Sequence, residues 1–282
     1  VPPDSAWQPL ASALGIGTGG LSVRGYHLFN VVVHTLSGLL LFGLLWRTLS
    51  LPQFGDSRQL THSVDLATIT AAVWLVHPLQ VDAVTYVVQR TELLMGLFYL
   101  LTLYAALRAC RSPHGWLWSV TAVIACASGM LSKESMATAP ILVVCYDRIF
   151  LFATWRQMWR CRWPLHVGLA ACWAPLVAIM LTGPRNQTIG FDLGVTWWQY
   201  GGTQLGMLTH YLGLVFWPAE LCFDYGRVMP AGTWDQAVGA VVVGALLGAT
   251  LWALRYHPTF GFAGLFFFLP AGAKFQHCPH RH

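Results

Sequence analysis

Nine apolar stretches, each bounded by Pro, Gly or charged side chains, run through the chain at roughly 27–46, 67–81, 92–108, 116–131, 136–152, 165–182, 203–217, 236–254 and 259–271. A helix rises 1.5 Å per residue, so about 20 apolar residues cross about 30 Å of hydrocarbon. Hydrocarbon offers the backbone no hydrogen bonds, and a helix supplies its own within one segment. Charged residues make up only 10% of the chain, against about 25% in soluble domains. With 16 Lys and Arg and 11 Asp and Glu, a soluble surface for 282 residues would be poorly covered. The expectation is an all-α polytopic membrane protein of about eight or nine membrane-embedded helices. One domain over 1–271 accounts for them, followed by an atypical, unstructured tail at 272–282.

The same composition excludes several functions. The net charge of +5 comes from Arg residues scattered singly, without the basic stripe that nucleic acid requires. Seven Cys occur without a CxxC pair, which argues against a disulfide framework and a zinc site. The His-rich ending Phe275-Gln276-His277-Cys278-Pro279-His280-Arg281-His282 has poor ligand spacing, so no metal is expected. Fourteen Trp, many near the ends of the runs, suit the membrane–water interface. No repeat of 20–50 residues and no long linker interrupts the pattern. Asn186-Gln187-Thr188 fits a glycosylation acceptor, a triplet too frequent by chance to decide anything.

Orientation follows from Arg and Lys. Arg47, Arg58, Arg108, Arg111, Arg148, Arg156, Arg160, Arg162 and Arg255 fall on one side, in loops that include 153–164 or at helix ends; Arg24, Arg90, Lys133, Arg185 and Arg227 fall on the other. The richer side is cytoplasmic on this rule. A full crossing by 203–217 would move Arg227 inside and Arg255 outside, so that run fits better as re-entrant or lying along the outer interface. The outer face then carries 1–26, 82–92, 132–135, 183–202 and 218–235.

Four polar groups there need a reason, because ionisable side chains in lipid are costly. His27, Asn30 and His34 share about 60° of one helix face and suit either a substrate or hydrogen bonds between helices. His77-Pro78 should end or kink a helix, and Asp82, Arg90 and Glu92 follow on the return to the next one. Glu92 also suits the positive end of a helix dipole. Together these residues offer an anionic lipid-linked substrate a cation for phosphate and a carboxylate for a proton. Ser132-Lys133-Glu134-Ser135 reads either as a solvated turn or as a rigid one presenting Lys133 to a phosphate. Asp224, among Phe223 and Tyr225, suits sugar contacts or an ordinary interfacial loop.

The strings RGYHLFNVVVH, HPLQVDAVTYVVQRTELL, LSKESMATAPILVVCYD and FWPAELCFDYG, in that order, resemble successive blocks of the transmembrane-and-tetratricopeptide-repeat proteins. Trp7-Gln8-Pro9-Leu10 is similar to that family's Tyr-Arg-Pro-Leu block, so the resemblance covers about residues 7–270. It implies the membrane core of a C-type glycosyltransferase (GT-C), taking a sugar from a polyprenyl-phosphate donor to an acceptor on the non-cytoplasmic side. In animal members the sugar is mannose and the acceptor a protein Ser or Thr. The resemblance puts His77, Asp82, Arg90, Glu92, Lys133 and Glu134 around donor and acceptor. Arg90 and Lys133 would hold phosphate, and the carboxylates Asp82, Glu92 and Glu134 would orient them. His27, Asn30, His34 and Asp224 are further expected substrate contacts. The partners implied are the lipid bilayer, the donor and a protein acceptor, with no cofactor, in a bacterial plasma membrane or an endoplasmic reticulum.

Three departures stand against the match. The family's acidic motif in the first outer loop, its expected catalytic base, should precede Trp7, and Asp4 does not fit it. Gln89-Arg90-Thr91-Glu92 replaces the frequent Gly-Arg-Ala-Asp, and no helical repeats follow Phe268-Leu269-Pro270. The expectation is therefore a fragment inactive by itself. A non-catalytic scaffold anchoring a repeat domain is the alternative; a transporter would show internal symmetry, which is absent.

Overall fold

In the computed structural model, residues 23–54, 57–85, 89–182, 197–218 and 233–274 are described. Every regular element among them is helical. Four helices have the length and apolarity to cross a membrane: Gly25–Leu49, Arg90–Arg111, Gly115–Ser132 and Gln236–Tyr256. The pair His62–Val76 and Pro78–Thr85, bent by 52°, passes the same test as one broken span. The protein is an all-α polytopic membrane protein.

Of the described residues, α1 (Val23–Leu49) comes first and α2 (Ser57–Val76) returns along it. Pro78 comes two residues after Val76; it has no N–H to continue the ladder, His77 before it is extended, and the helix stops there, as the sequence predicts. A short 3-10 turn (Pro78–Gln80) and α3 (Val81–Thr85) carry the chain on to α4 (Arg90–Arg111). α4 and α5 (Gly115–Ser132) form a tight antiparallel hairpin. A Cβ on Gly115 would lie 2.4 Å from the Ala109 carbonyl, so only glycine permits this turn. Ala105, Ala106, Ala122, Ala125 and Cys126 are all buried where the helices meet. Small side chains let two backbones approach where lipid supplies no hydrophobic drive.

The run expected as one span at 136–152 is divided. A 3-10 turn (Glu134–Thr138), α6 (Ala139–Tyr146) and a π-turn (Asp147–Leu151) share it. Next come α7 (Trp155–Ala171) and α8 (Trp173–Thr182), which break the expected 165–182 span at Cys172. The 153–164 segment expected as a loop is mostly α7, because Thr154 Oγ1 caps that helix by accepting from Gln157 N at 3.3 Å.

α9 (Trp197–Phe216) and α10 (Thr233–Tyr256) pack closely, Gly202 against Gln236 and Gly239 against the backbone of Leu205. α11 (Pro258–Lys274) continues three residues past the expected domain end at 271, so the predicted tail begins as helix. It closes the bundle with Phe262 edge-on to Tyr146 and Phe150 and with Phe266 edge-on to Tyr99.

One polar cluster lies wholly inside this core. Asp147 is fully buried and accepts from Arg162 Nη1 at 2.6 Å, while Arg162 Nη2 donates to the Ala106 carbonyl at 2.5 Å. His166 Nε2 lies 3.2 Å from the other carboxylate oxygen. The cluster ties α4, the π-turn and α7 together. Arg162 is thus not the loop charge expected from its place in the chain, because Asp147 could not enter the core without a cation. Removing one partner of a buried pair costs about 3–5 kcal/mol, whereas removing both leaves no orphaned charge. Asp147→Leu or Arg162→Leu alone should lower thermal stability more than the double substitution, measured by unfolding in detergent.

Candidate functional site

The starts of α1 and α4, the bend between α2 and α3, and the end of α5 lie together at one end of the bundle. Arg90 opens α4, and its guanidinium carbon sits 4.2 Å from the ring centroid of Tyr26 on α1. A flat cation over an aromatic face is held by the ring's quadrupole. Two residues on, Glu92 occupies the first turn of α4, where the helix dipole favours a carboxylate.

Across from it, α5 ends at Lys133, whose backbone is extended and whose N–H donates to the Gly129 carbonyl at 2.9 Å. Lys133 Nζ donates to Glu92 Oε1 in an ion pair, each side chain 22% exposed. The turn beneath is rigid. Ser135 and Met136 are buried, Thr138 Oγ1 donates to the Ser135 carbonyl at 2.9 Å, and Tyr99 Oη lies 3.1 Å from Thr138 Oγ1. Because that hydroxyl already donates, Tyr99 is the donor to it. Glu134 opens the 3-10 turn, half-buried beside Lys133.

The histidines and Asn30 serve the bend. His77 Nδ1 accepts from Leu79 N at 3.2 Å, so its proton is on Nε2, which reaches the Val215 carbonyl at 3.0 Å. This bond joins the bend to the last turn of α9. His34 Nε2 meets the Leu75 carbonyl at 3.0 Å, with its ring stacked 4.9 Å from Trp74. Asn30 Nδ2 donates to the Val84 carbonyl at 2.9 Å. Of the two alternatives for this face, hydrogen bonding between helices is therefore satisfied by Asn30 and His34. Asn30 Oδ1 and His34 Nδ1 stay buried with polar capacity to spare. His27 is half-buried one turn earlier on α1.

Asp82 is the second residue of α3. Asp224, Asn186 and the His-rich ending lie outside the described residues. Among the described residues no cluster of three His, Cys, Asp or Glu could hold a metal. From sequence alone Tyr26, the residue before His27 in the first polar group, has no role of its own, and the Tyr99–Thr138 support goes unrecognised as one aromatic and one hydroxyl residue in apolar runs.

Residues 18–180 match the profile of the dolichyl-phosphate-mannose-protein mannosyltransferase family. That stretch holds Tyr26, Arg90, Glu92, Lys133 and Glu134. The chain is 27% identical over 252 residues to a fruit-fly (Drosophila melanogaster) protein O-mannosyl-transferase, Tmtc2, covering 84% of this chain and 26% of that protein. To the fly's Tmtc1 it is 26% identical over 283 residues, covering 92% of this chain and 30% of that protein. A Xenopus laevis relative, tmtc2, is 32% identical over 139 residues, 48% of this chain and 15% of its own. The chain thus spans under a third of the length of the curated relatives it matches. No solved structure matches.

A pair this accessible contributes little to folding, on the order of 1 kcal/mol or less. Glu92→Gln and Lys133→Gln should each shift the midpoint of thermal unfolding by only a few degrees, far less than a substitution at Asp147.

Proposed function

This chain belongs to the dolichyl-phosphate-mannose-protein mannosyltransferase family, and we propose that it is the membrane core of an enzyme moving mannose from a polyprenyl-phosphate donor to a protein hydroxyl on the non-cytoplasmic side. The observation that carries this reading is the Lys133–Glu92 pair at the same end of the bundle as Arg90, which stands on the Tyr26 ring two residues before Glu92.

The reaction is a displacement. The acceptor oxygen attacks the anomeric carbon, the bond from that carbon to the phosphate oxygen breaks, and the electron pair leaves with the polyprenyl phosphate. The acceptor proton passes to a carboxylate. Negative charge grows on the leaving phosphate, and fixed cations lower the barrier by meeting it there. Arg90, backed by Tyr26, offers a planar fork to two phosphate oxygens. Lys133 offers a point charge on a flexible stem, which can exchange Glu92 for phosphate. Glu92 keeps Lys133 in place until the donor arrives, with the Glu134 carboxylate next to it in the chain and Asp82 on α3 as the other candidate acids. His77, His34 and Asn30 fix the bend on which α3 is mounted.

The test is turnover of radiolabelled polyprenyl-phosphate mannose by the purified protein with a Ser/Thr peptide acceptor. Arg90→Gln and Lys133→Gln should each lower the rate on the order of a hundredfold, the usual effect of losing one transition-state donor. Lys133→Arg should retain more activity than Lys133→Gln. Absence of both donor binding and transfer, or variants as active as the parent, defeats the reading.

A further inference from the structure

The opposite end of the bundle carries a second cationic surface with different chemistry. α7 begins with Trp155-Arg156-Gln157-Met158-Trp159-Arg160-Cys161-Arg162-Trp163. At about 100° per residue these sort into three adjacent strips around the helix. Met158, Arg162, Leu165, His166 and Leu169 form the buried strip. Trp155, Trp159 and Trp163 follow at the boundary, 53%, 45% and 57% exposed. Arg156 and Arg160, one turn apart and exposed, lie beyond them. Core, then indole, then guanidinium is the order in which a membrane changes from hydrocarbon to headgroup.

Neither arginine is in an ion pair among the described residues. The one acid nearby in the chain, Asp147, is fully buried and taken by Arg162. Arg148, at the π-turn, adds a third cation, its guanidinium carbon 5.8 Å from the Trp155 ring. Among the described residues the three cations and the indole strip thus form a surface without an ion-pair partner, on the side that Arg distribution assigns to the cytoplasm. That leaflet is the anionic one.

The geometry points to a binding site for an anionic phospholipid on the first two turns of α7, its phosphate between Arg156 and Arg160 and its glycerol and upper acyl carbons against Trp159 and Trp163. The site is separate from the proposed donor site, since it uses no residue of α1, α3 or the Lys133 turn. It anchors α7, and through Arg162 the core cluster, at a fixed depth.

Native mass spectrometry of the full chain, released from nanodiscs of equal phosphatidylglycerol and phosphatidylcholine, tests this. The parent protein should retain phosphatidylglycerol in preference to phosphatidylcholine. Each guanidinium near an anionic surface contributes about 1 kcal/mol, so Arg156→Gln with Arg160→Gln should weaken that preference about thirtyfold. Arg156→Lys with Arg160→Lys should keep most of it. Both positions are exposed, so an unchanged unfolding midpoint should accompany the loss. Equal retention of the two lipids by the parent, or a preference unaltered in the glutamine variant, overturns the proposal.

Discussion

Every interruption of a helix in hydrocarbon exposes carbonyls and N–H groups that lipid cannot satisfy, and this constraint governs where the protein keeps its polar side chains. The α2–α3 break at His77 is covered from three sides. His34 takes the Leu75 carbonyl, Asn30 takes that of Val84, and His77 accepts from Leu79 N. The break after α5 is covered by Thr138 on the Ser135 carbonyl, with Tyr99 behind it. At the π-turn, Arg148 Nη1 donates to the Phe152 carbonyl at 3.3 Å, and Arg162 reaches across to the Ala106 carbonyl. Most buried polar side chains away from the helix surfaces can be traced to one of these breaks.

The candidate site exists because two such breaks occur at the same end. A continuous α2 and a continuous α5–α6 would present only apolar faces there. Ending α2 at Pro78 frees 81–89 to return Arg90 to the start of α4, and ending α5 at Lys133 brings its ammonium opposite Glu92. The proposed chemistry therefore depends on backbone interruptions supported by side chains that need not touch the substrate. His77 belongs with those supports, its ring nitrogens both engaged by backbone.

The sequence disclosed the bundle because its apolar runs are a composition signal, and every expected run falls on helical segments, although 67–81, 136–152 and 165–182 are each interrupted or divided between elements. The bend was equally legible, since proline's missing N–H acts locally. Element joints were not. The division of 136–152 depends on Asp147 finding Arg162, fifteen residues away and across a turn, which no periodicity reveals. Arg162 was indistinguishable in the sequence from Arg156 and Arg160, its neighbours on α7. Only the facing helix decides which of the three points inward. Tyr26 was hidden for the same reason, because a ring one turn before Asn30 gains meaning only when Arg90 arrives above it.

The two ion pairs show how burial sorts charges by role. Asp147 with Arg162 is closed to water, so neither can move without stranding a buried charge. Glu92 with Lys133 remains partly open, and water or a phosphate can replace either partner at small cost. A cation that must change partners during a reaction has to be of the second kind. Arg90 has a support of another kind, the face of the Tyr26 ring. Lys133 thus has the property that a phosphate-binding cation needs, a hold on the protein that water or an anion can replace. Arg162, the more deeply buried cation, lacks it.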